Sequence, residues 1–138
     1  MIKPINSFPV FTVTNLSDAK KFYIENFGFT PIFENEWYIQ LVSASGIQLG
    51  FLLPNQPTQP EIFHPSYNGK GVIFSFDVEN VDAAYSAAKE RSLNIVFDIT
   101  SEDWGQRHFC VKDPNSIYLD IVQLIAPTEE YEKAYESE

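Results

Sequence analysis

The residues best placed to do chemistry lie in the run Gln106-Arg107-His108-Phe109-Cys110, where an extended backbone puts Gln106, His108 and Cys110 on one face. An imidazole in that position is a general base if it reaches a cleft near a carboxylate such as Asp120. A single histidine on a strand more often hydrogen-bonds locally or faces water. The second histidine, His64, sits in a proline-rich stretch, where it is either an exposed loop residue or closes over a pocket with Phe63. Trp37 and Trp104 both offer a ring face to a flat or cationic ligand. Trp104 precedes Gly105 after the polar run Thr100-Ser101-Glu102-Asp103, which favours it as a pocket rim, whereas Trp37 on a strand reads as plain core. Cys110 is the one cysteine, so neither an intrachain disulfide nor a cysteine-rich zinc site can form, and it reads as a small hydrophobe packed in a strand. No Ser-His-Asp order, phosphate-binding glycine loop, Cys-x-x-Cys or histidine pair at helical spacing appears, so nucleophilic catalysis has no support.

Two similar sets of elements must position these groups. Phe11-Thr12-Val13-Thr14-Asn15-Leu16 runs into a helical stretch, and Phe76-Asp77-Val78-Glu79-Asn80-Val81 does the same about 65 residues later. In each copy an alternating strand meets an asparagine able to cap a helix by accepting a backbone N–H. The first helix carries Leu16, Ala19, Tyr23 and Phe27 at helical spacing, and Gly28 stops it. Strands are predicted at 8–14, 29–34, 37–43 and 47–53, completing a β-α-β-β-β unit. The stretch from Pro54 to Gly69 begins with three prolines in seven positions and is expected to hold no regular structure. The second unit is predicted with strands at 72–78, 94–99, 106–112 and 117–123 and a helix striped by Val81, Ala84, Tyr85 and Ala88. Two such units suggest a ligand cleft where their sheets meet.

At 138 residues the chain fits one compact domain, and 12 Phe with 7 Tyr leave aromatic surplus for a pocket. Its formal charge of −10, from 19 acidic and 9 basic residues, repels phosphate backbones and anionic lipid surfaces, so neither nucleic acid nor a membrane is an expected partner. Part of that charge sits in the tail from Thr128 onward. No signal-peptide pattern opens the sequence and no apolar run has spanning length, so a cytoplasmic protein is expected.

Two motifs bring a family into view. Phe22-Tyr23-Ile24-Glu25-Asn26-Phe27-Gly28-Phe29 resembles the "FY...LGF" helix end, and Asp113-Pro114-Asn115-Ser116-Ile117-Tyr118-Leu119-Asp120 resembles the "DPDGNxxE" ending, of the glyoxalase, bleomycin-resistance and extradiol-dioxygenase (vicinal oxygen chelate) superfamily. The resemblance spans Phe8 to Leu124. It implies an α+β fold of two tandem β-α-β-β-β modules, about 7–54 and 70–124, forming curved sheets around a cleft with helices on the outer face. A connector at 55–69 and an acidic tail at 125–138 complete a single domain. Members that hold a divalent metal take ligands from the first and last strand of each unit, and the matching places here are Phe8, Gln48 or Gly50, Ile73 and Asp120. Two of these are hydrocarbon, and Gln48 with Asp120 would leave an ion held by two protein groups. No cofactor and no metal are therefore expected. Ser116 stands where the family has a turn glycine, which suggests that this turn does not demand a positive φ.

If Phe8 and Ile73 point into the cleft, strand alternation places Val10, Thr12, Thr14, Ser75, Asp77, Tyr118 and Asp120 there too, with Phe11, Val13, Phe74 and Phe76 packed on the helices. The expectation is a metal-independent protein that binds a small aromatic or cationic organic molecule, as sequestering members of the superfamily do. Phe8, Ile73 and Trp104 would supply stacking or apolar contact, Gln48, Asp77 and Asp120 would fix polar groups, and Phe63, His64 and His108 are further candidates. A homodimer is expected because apolar sheet edges favour being covered. The rival reading is a metal-dependent lyase, isomerase or dioxygenase of the same superfamily, with Gln48, Asp120 and His108 as ligands. A closed-cleft interaction module is a third.

Overall fold

A computed structural model describes the backbone of residues 1–136. The chain divides into two compact units, Met1–Lys70 with Pro114–Ser116, and Gly71–Asp113 with the residues from Ile117 onward. Each unit carries one four-stranded sheet. The fold is α+β, built of two tandem β-α-β-β-β modules.

In the first unit, β1 (Val10–Thr12), α1 (Leu16–Phe27), β2 (Thr30–Glu34), β3 (Tyr38–Val42) and β4 (Gln48–Leu52) give the sheet order β1-β4-β3-β2. β1 lies parallel to β4, with Val10 opposite Gly50 and Thr12 opposite Leu52, while the other pairs are antiparallel. The Asn15 side chain accepts from the Asp18 amide at the start of α1, and Gly28 ends the helix in the left-handed region at φ 70°. Tyr23 is wholly buried, its ring 5.2 Å from Phe51 and 6.0 Å from Phe29, so α1 packs on the sheet face that also buries Val13, Leu41 and Leu49. The opposite face carries Val10, Thr12, Tyr38 and Leu52, which line a cavity. The connector is not wholly irregular: Glu61–Phe63 forms one 3₁₀ turn, which its prolines permit because Pro60 lies outside the turn.

The second unit repeats the plan with β5 (Phe74–Asp77), α2 (Val81–Glu90), β6 (Asn94–Glu102), β7 (Gln106–Lys112) and β8 (Tyr118–Leu124) in the order β5-β8-β7-β6. Asn80 caps α2 by accepting from the Ala83 amide. Val81 and Ala88 are buried, and the Tyr85 ring meets Phe109 edge-on at 5.1 Å. β6 runs three residues beyond its predicted end at 99, through Thr100, Ser101 and Glu102, because two register shifts on either side of Phe97 let the polar stretch stay paired with β7. Glu102 is therefore a strand residue opposite Gln106 rather than part of a loop.

The tail adds one element, and one expectation is corrected. The acidic tail contains a helix, α3 (Glu129–Glu136), whose first-turn Glu129, Glu130 and Glu132 sit where the helix dipole favours negative charge. Ser116 does adopt a positive φ, 65°, in the β7–β8 turn. The turn keeps the left-handed geometry of a glycine because Asp113 accepts from the Ile117 amide through its carboxylate and donates its own N–H to the Ile117 carbonyl, closing the hairpin tightly. A left-handed conformation costs an L-residue about 1–2 kcal/mol. Ser116→Gly is expected to stabilise the fold by about 0.5–1 kcal/mol in urea unfolding; a loss of stability would show that the serine side chain supports the turn.

Candidate functional site

The first unit holds a cavity of about 560 Å³ lined by Phe8, Val10, Thr12, Phe33, Asn35, Trp37, Tyr38, Leu52, Gln59 and Phe63. Half of these ten side chains are aromatic and none is ionisable at neutral pH except through the Tyr38 phenol, which burial pushes up from its ordinary value and so keeps protonated. The cavity is built from the sequence locally. Asn35 accepts from the backbone amides of Trp37 and Tyr38, both at 2.9 Å, turning the chain between β2 and β3 so that these two rings follow one another at the cavity edge. Tyr38 then donates its hydroxyl to Gln40, and Gln40 donates to the Gln48 side-chain oxygen at 2.9 Å. A Cβ at Gly50 would fall on the Tyr38 hydroxyl, so the missing side chain there is what lets the phenol lie across β4. The connector supplies the last wall: the Thr12 hydroxyl donates to the Phe63 carbonyl at 2.8 Å, and the Tyr67 amide donates to the Thr12 carbonyl at 2.9 Å.

The second unit holds a smaller cavity of about 300 Å³, lined by Ile73, Val96, Phe97, His108, Cys110, Tyr118 and Asp120. Cys110 stands directly opposite Asp120 across the β7–β8 pair, and His108 is its neighbour on the same face. His108 Nδ1 lies 2.7 Å from Asp120 Oδ1, and its Nε2 lies 2.8 Å from Glu102 Oε2. Cys110 Sγ donates to the same Asp120 oxygen at 3.4 Å. Phe97 packs against the imidazole at 5.3 Å between ring centres, with Trp104 edge-on at 6.5 Å. Cys110 is thus a member of a polar cluster rather than the plain strand hydrophobe expected of it. Burial pushes its thiol up to about 12, with the Asp120 charge and hydrogen bond adding to the effect, so in the metal-free protein the sulfur keeps its proton at neutral pH.

The structure thus distributes the residues singled out in the sequence. Phe8 and Phe63 line the first cavity; Ile73, His108 and Asp120 line the second. Gln48 is held by Gln40 beside the first cavity. His64 turns back on its own loop and bonds the Gln59 carbonyl at 2.7 Å. Asp77 is exposed at the end of β5. Trp104 is exposed, its indole N–H donating to Gln106 and its carbonyl accepting from Tyr135 of α3, and it touches His108 without lining the cavity. Trp37, read as core, lines the first cavity instead. Sequence reasoning singled out neither Glu102 nor the lining rings Phe33, Tyr38 and Phe97. A hairpin closing at Gly105 would have paired Glu102 with Gln106, two residues from His108 on the same face of the strand. Of the four positions that the resemblance marks for a divalent metal, Phe8 and Ile73 offer only hydrocarbon and the Gln48 oxygen already accepts from Gln40, so those residues do not fit the ion.

Burial of the His108 ring disfavours its charge and is the largest single influence on it. The hydrogen bonds to Glu102 and Asp120, with their negative charge, together outweigh burial and hold the pKa above the ordinary histidine value. The ion-paired imidazolium therefore contributes stability that is complete below pH about 6.5 and is lost as pH rises through the folded-state value. Glu102→Gln is expected to lower the His108 pKa in an NMR titration of the imidazole protons; an unchanged value would assign the whole effect to Asp120.

The family model described as the Glyoxalase/Bleomycin resistance protein/Dioxygenase superfamily matches residues 6–121. Among solved structures, a glyoxalase/bleomycin resistance protein/dioxygenase from Nocardioides superposes with a TM-score of 0.76 over 91% of this chain and 86% of its own, at 14% identity. A virulence protein from Salmonella typhimurium gives 0.74 over 91% and 100%, at 18% identity. A superfamily member from Sphaerobacter thermophilus gives 0.70 over 89% and 99%, at 20% identity. Likeness at these identities carries the fold and not the activity. No curated protein matches the sequence. With the family match running through both modules, this chain belongs to the glyoxalase/bleomycin resistance protein/dioxygenase superfamily.

Proposed function

We propose that the protein binds a small aromatic organic molecule, neutral or cationic, in the cavity of its first unit, without a metal, and that sequestration of such a compound is its task. The observation that carries this reading is the lining itself: Phe8, Phe33, Trp37, Tyr38 and Phe63 surround a space of about 560 Å³ with no carboxylate, histidine or thiol among them. That volume lies within the range of small-molecule pockets, roughly 300–1,000 Å³. Ring faces stack on a planar ligand and attract a delocalised cation, and Thr12, Asn35 and Gln59 supply neutral polar contacts at the margin. An anionic substrate would meet no basic group there. In this reading the protein is a homodimer that covers its exposed apolar edge residues, Ile32 and Phe33 of β2 among them. Among the described residues no helix is long and apolar enough to cross a membrane.

Trp37 reports on this cavity. In a Trp104→Phe background, planar aromatic compounds and aromatic cations are expected to quench the remaining tryptophan saturably and to raise the melting temperature, with no change on adding EDTA. Absence of both effects across such a panel, or their loss on chelation, would overturn the reading. Gly50→Ala is expected to displace the Tyr38 ring, costing about 1–3 kcal/mol of stability by overpacking and weakening ligand binding along with it. Retained affinity in a folded Gly50→Ala protein would remove Tyr38 from the site.

A further inference from the structure

We propose that His108, Cys110 and Asp120 form a second, separate site that takes one divalent transition-metal ion of the zinc class through Nδ1, Sγ and a carboxylate oxygen. One donor atom from each of these residues lies within 4.8 Å of the other two. Nδ1 stands 2.7 Å and Sγ 3.4 Å from the same Asp120 oxygen. Donors around a tetrahedral zinc, at about 2.0 Å for nitrogen or oxygen and about 2.3 Å for sulfur, stand roughly 3.3–3.7 Å from one another. The three groups are therefore close to the required triangle, and small side-chain adjustments close it. A thiolate, an imidazole and a carboxylate together suit Zn²⁺ or Co²⁺ rather than Mg²⁺ or Ca²⁺, which prefer oxygen alone.

The surroundings are those of a metal site with a position to spare. Glu102 holds the far nitrogen of His108 at 2.8 Å, the carboxylate–histidine arrangement that fixes which ring nitrogen faces the ion. The remaining coordination direction opens on the cavity walled by Ile73, Val96, Phe97 and Tyr118, an apolar space of about 300 Å³ that admits water or one small donor ligand. In the metal-free protein, protons do the bridging: one lies between His108 and Asp120, and the thiol proton points at Asp120. An entering M²⁺ displaces both to solvent, so the cluster, Glu102 included, carries the same net charge before and after. The site shares only Asp120 with the positions that the superfamily resemblance marks, and two of its three ligands come from β7. It shares no residue with the aromatic cavity of the first unit, and its failure would leave the binding reading untouched.

The test uses the full chain, stripped of metal and kept reduced, titrated with Co²⁺ alone. One equivalent is expected to produce tetrahedral visible bands together with a near-ultraviolet sulfur-to-cobalt charge-transfer band, both bleached by Zn²⁺. Cys110→Ser is expected to lose the charge-transfer band while retaining weaker visible bands. Glu102→Gln is expected to keep the spectrum and weaken affinity about 10- to 100-fold. No Co²⁺ binding at micromolar protein, or binding without the sulfur band in the unaltered protein, would overturn the proposal without recourse to any variant, as would an identical spectrum in Cys110→Ser.

Discussion

Each half of this protein depends on one pairing, the return of the last strand of the module to lie parallel beside the first. β1 pairs with β4 and β5 with β8 in the same sense, and a parallel neighbour can be reached only by a crossover. The helix supplies that crossover and must cover one sheet face. The other face is left to line a cavity, and alternation along β1, β3 and β4 or along β5, β7 and β8 then decides which side chains line it. A one-residue slip in either parallel pair would exchange Thr12 for Phe11, or Asp120 for Leu119. The aromatic anchors Tyr23 in α1 and Tyr85 in α2, each set against a phenylalanine of its own sheet, hold the register from the helix side.

The two cavities show how little the scaffold dictates once this pairing is made. Equivalent strands present Val10, Thr12, Tyr38 and Leu52 in one unit, and His108, Cys110 and Asp120 in the other, with Ile73 just ahead of β5. One lining is a cage of rings with neutral polar edges. The other gathers an imidazole, a thiol and a carboxylate around one oxygen, with a second carboxylate behind. In the low-dielectric surroundings of half-buried strands such a cluster is tolerable only because every member has a partner.

The repeat, the two capping asparagines, the Gly28 stop and the faces of β1, β5 and β8 were legible because each rests on local chemistry or on the two-residue period of a strand. Tyr118 and Asp120 followed from that parity. What escaped depends on pairing across the sheet. Glu102 looked like loop because its neighbours Thr100, Ser101 and Asp103 are polar, and only the register shifts around Phe97 carry the strand that far. Trp37 looked like core because its position at the β2–β3 turn depends on the Asn35 side chain, not on alternation. Helix α3 was hidden by charge: its acidic residues mark a solvated tail by composition and a helix start by electrostatics. Ser116 was misjudged because residue type was read as geometry, whereas the hydrogen bonds of Asp113 impose the left-handed turn on whatever residue stands there.

The clasp at Thr12 gives the two modules different prospects. A single residue of β1 grips the linker at both ends of a short span, through its hydroxyl and through its carbonyl, and thereby makes a stretch that merely joins two repeats into part of a cavity wall. No strand had to change for this to happen. The lining of the first cavity is consequently free to drift through insertions and exchanges between Pro54 and Gly69, outside its paired strands, while the second cavity, lined chiefly by its own sheet, changes only residue by residue.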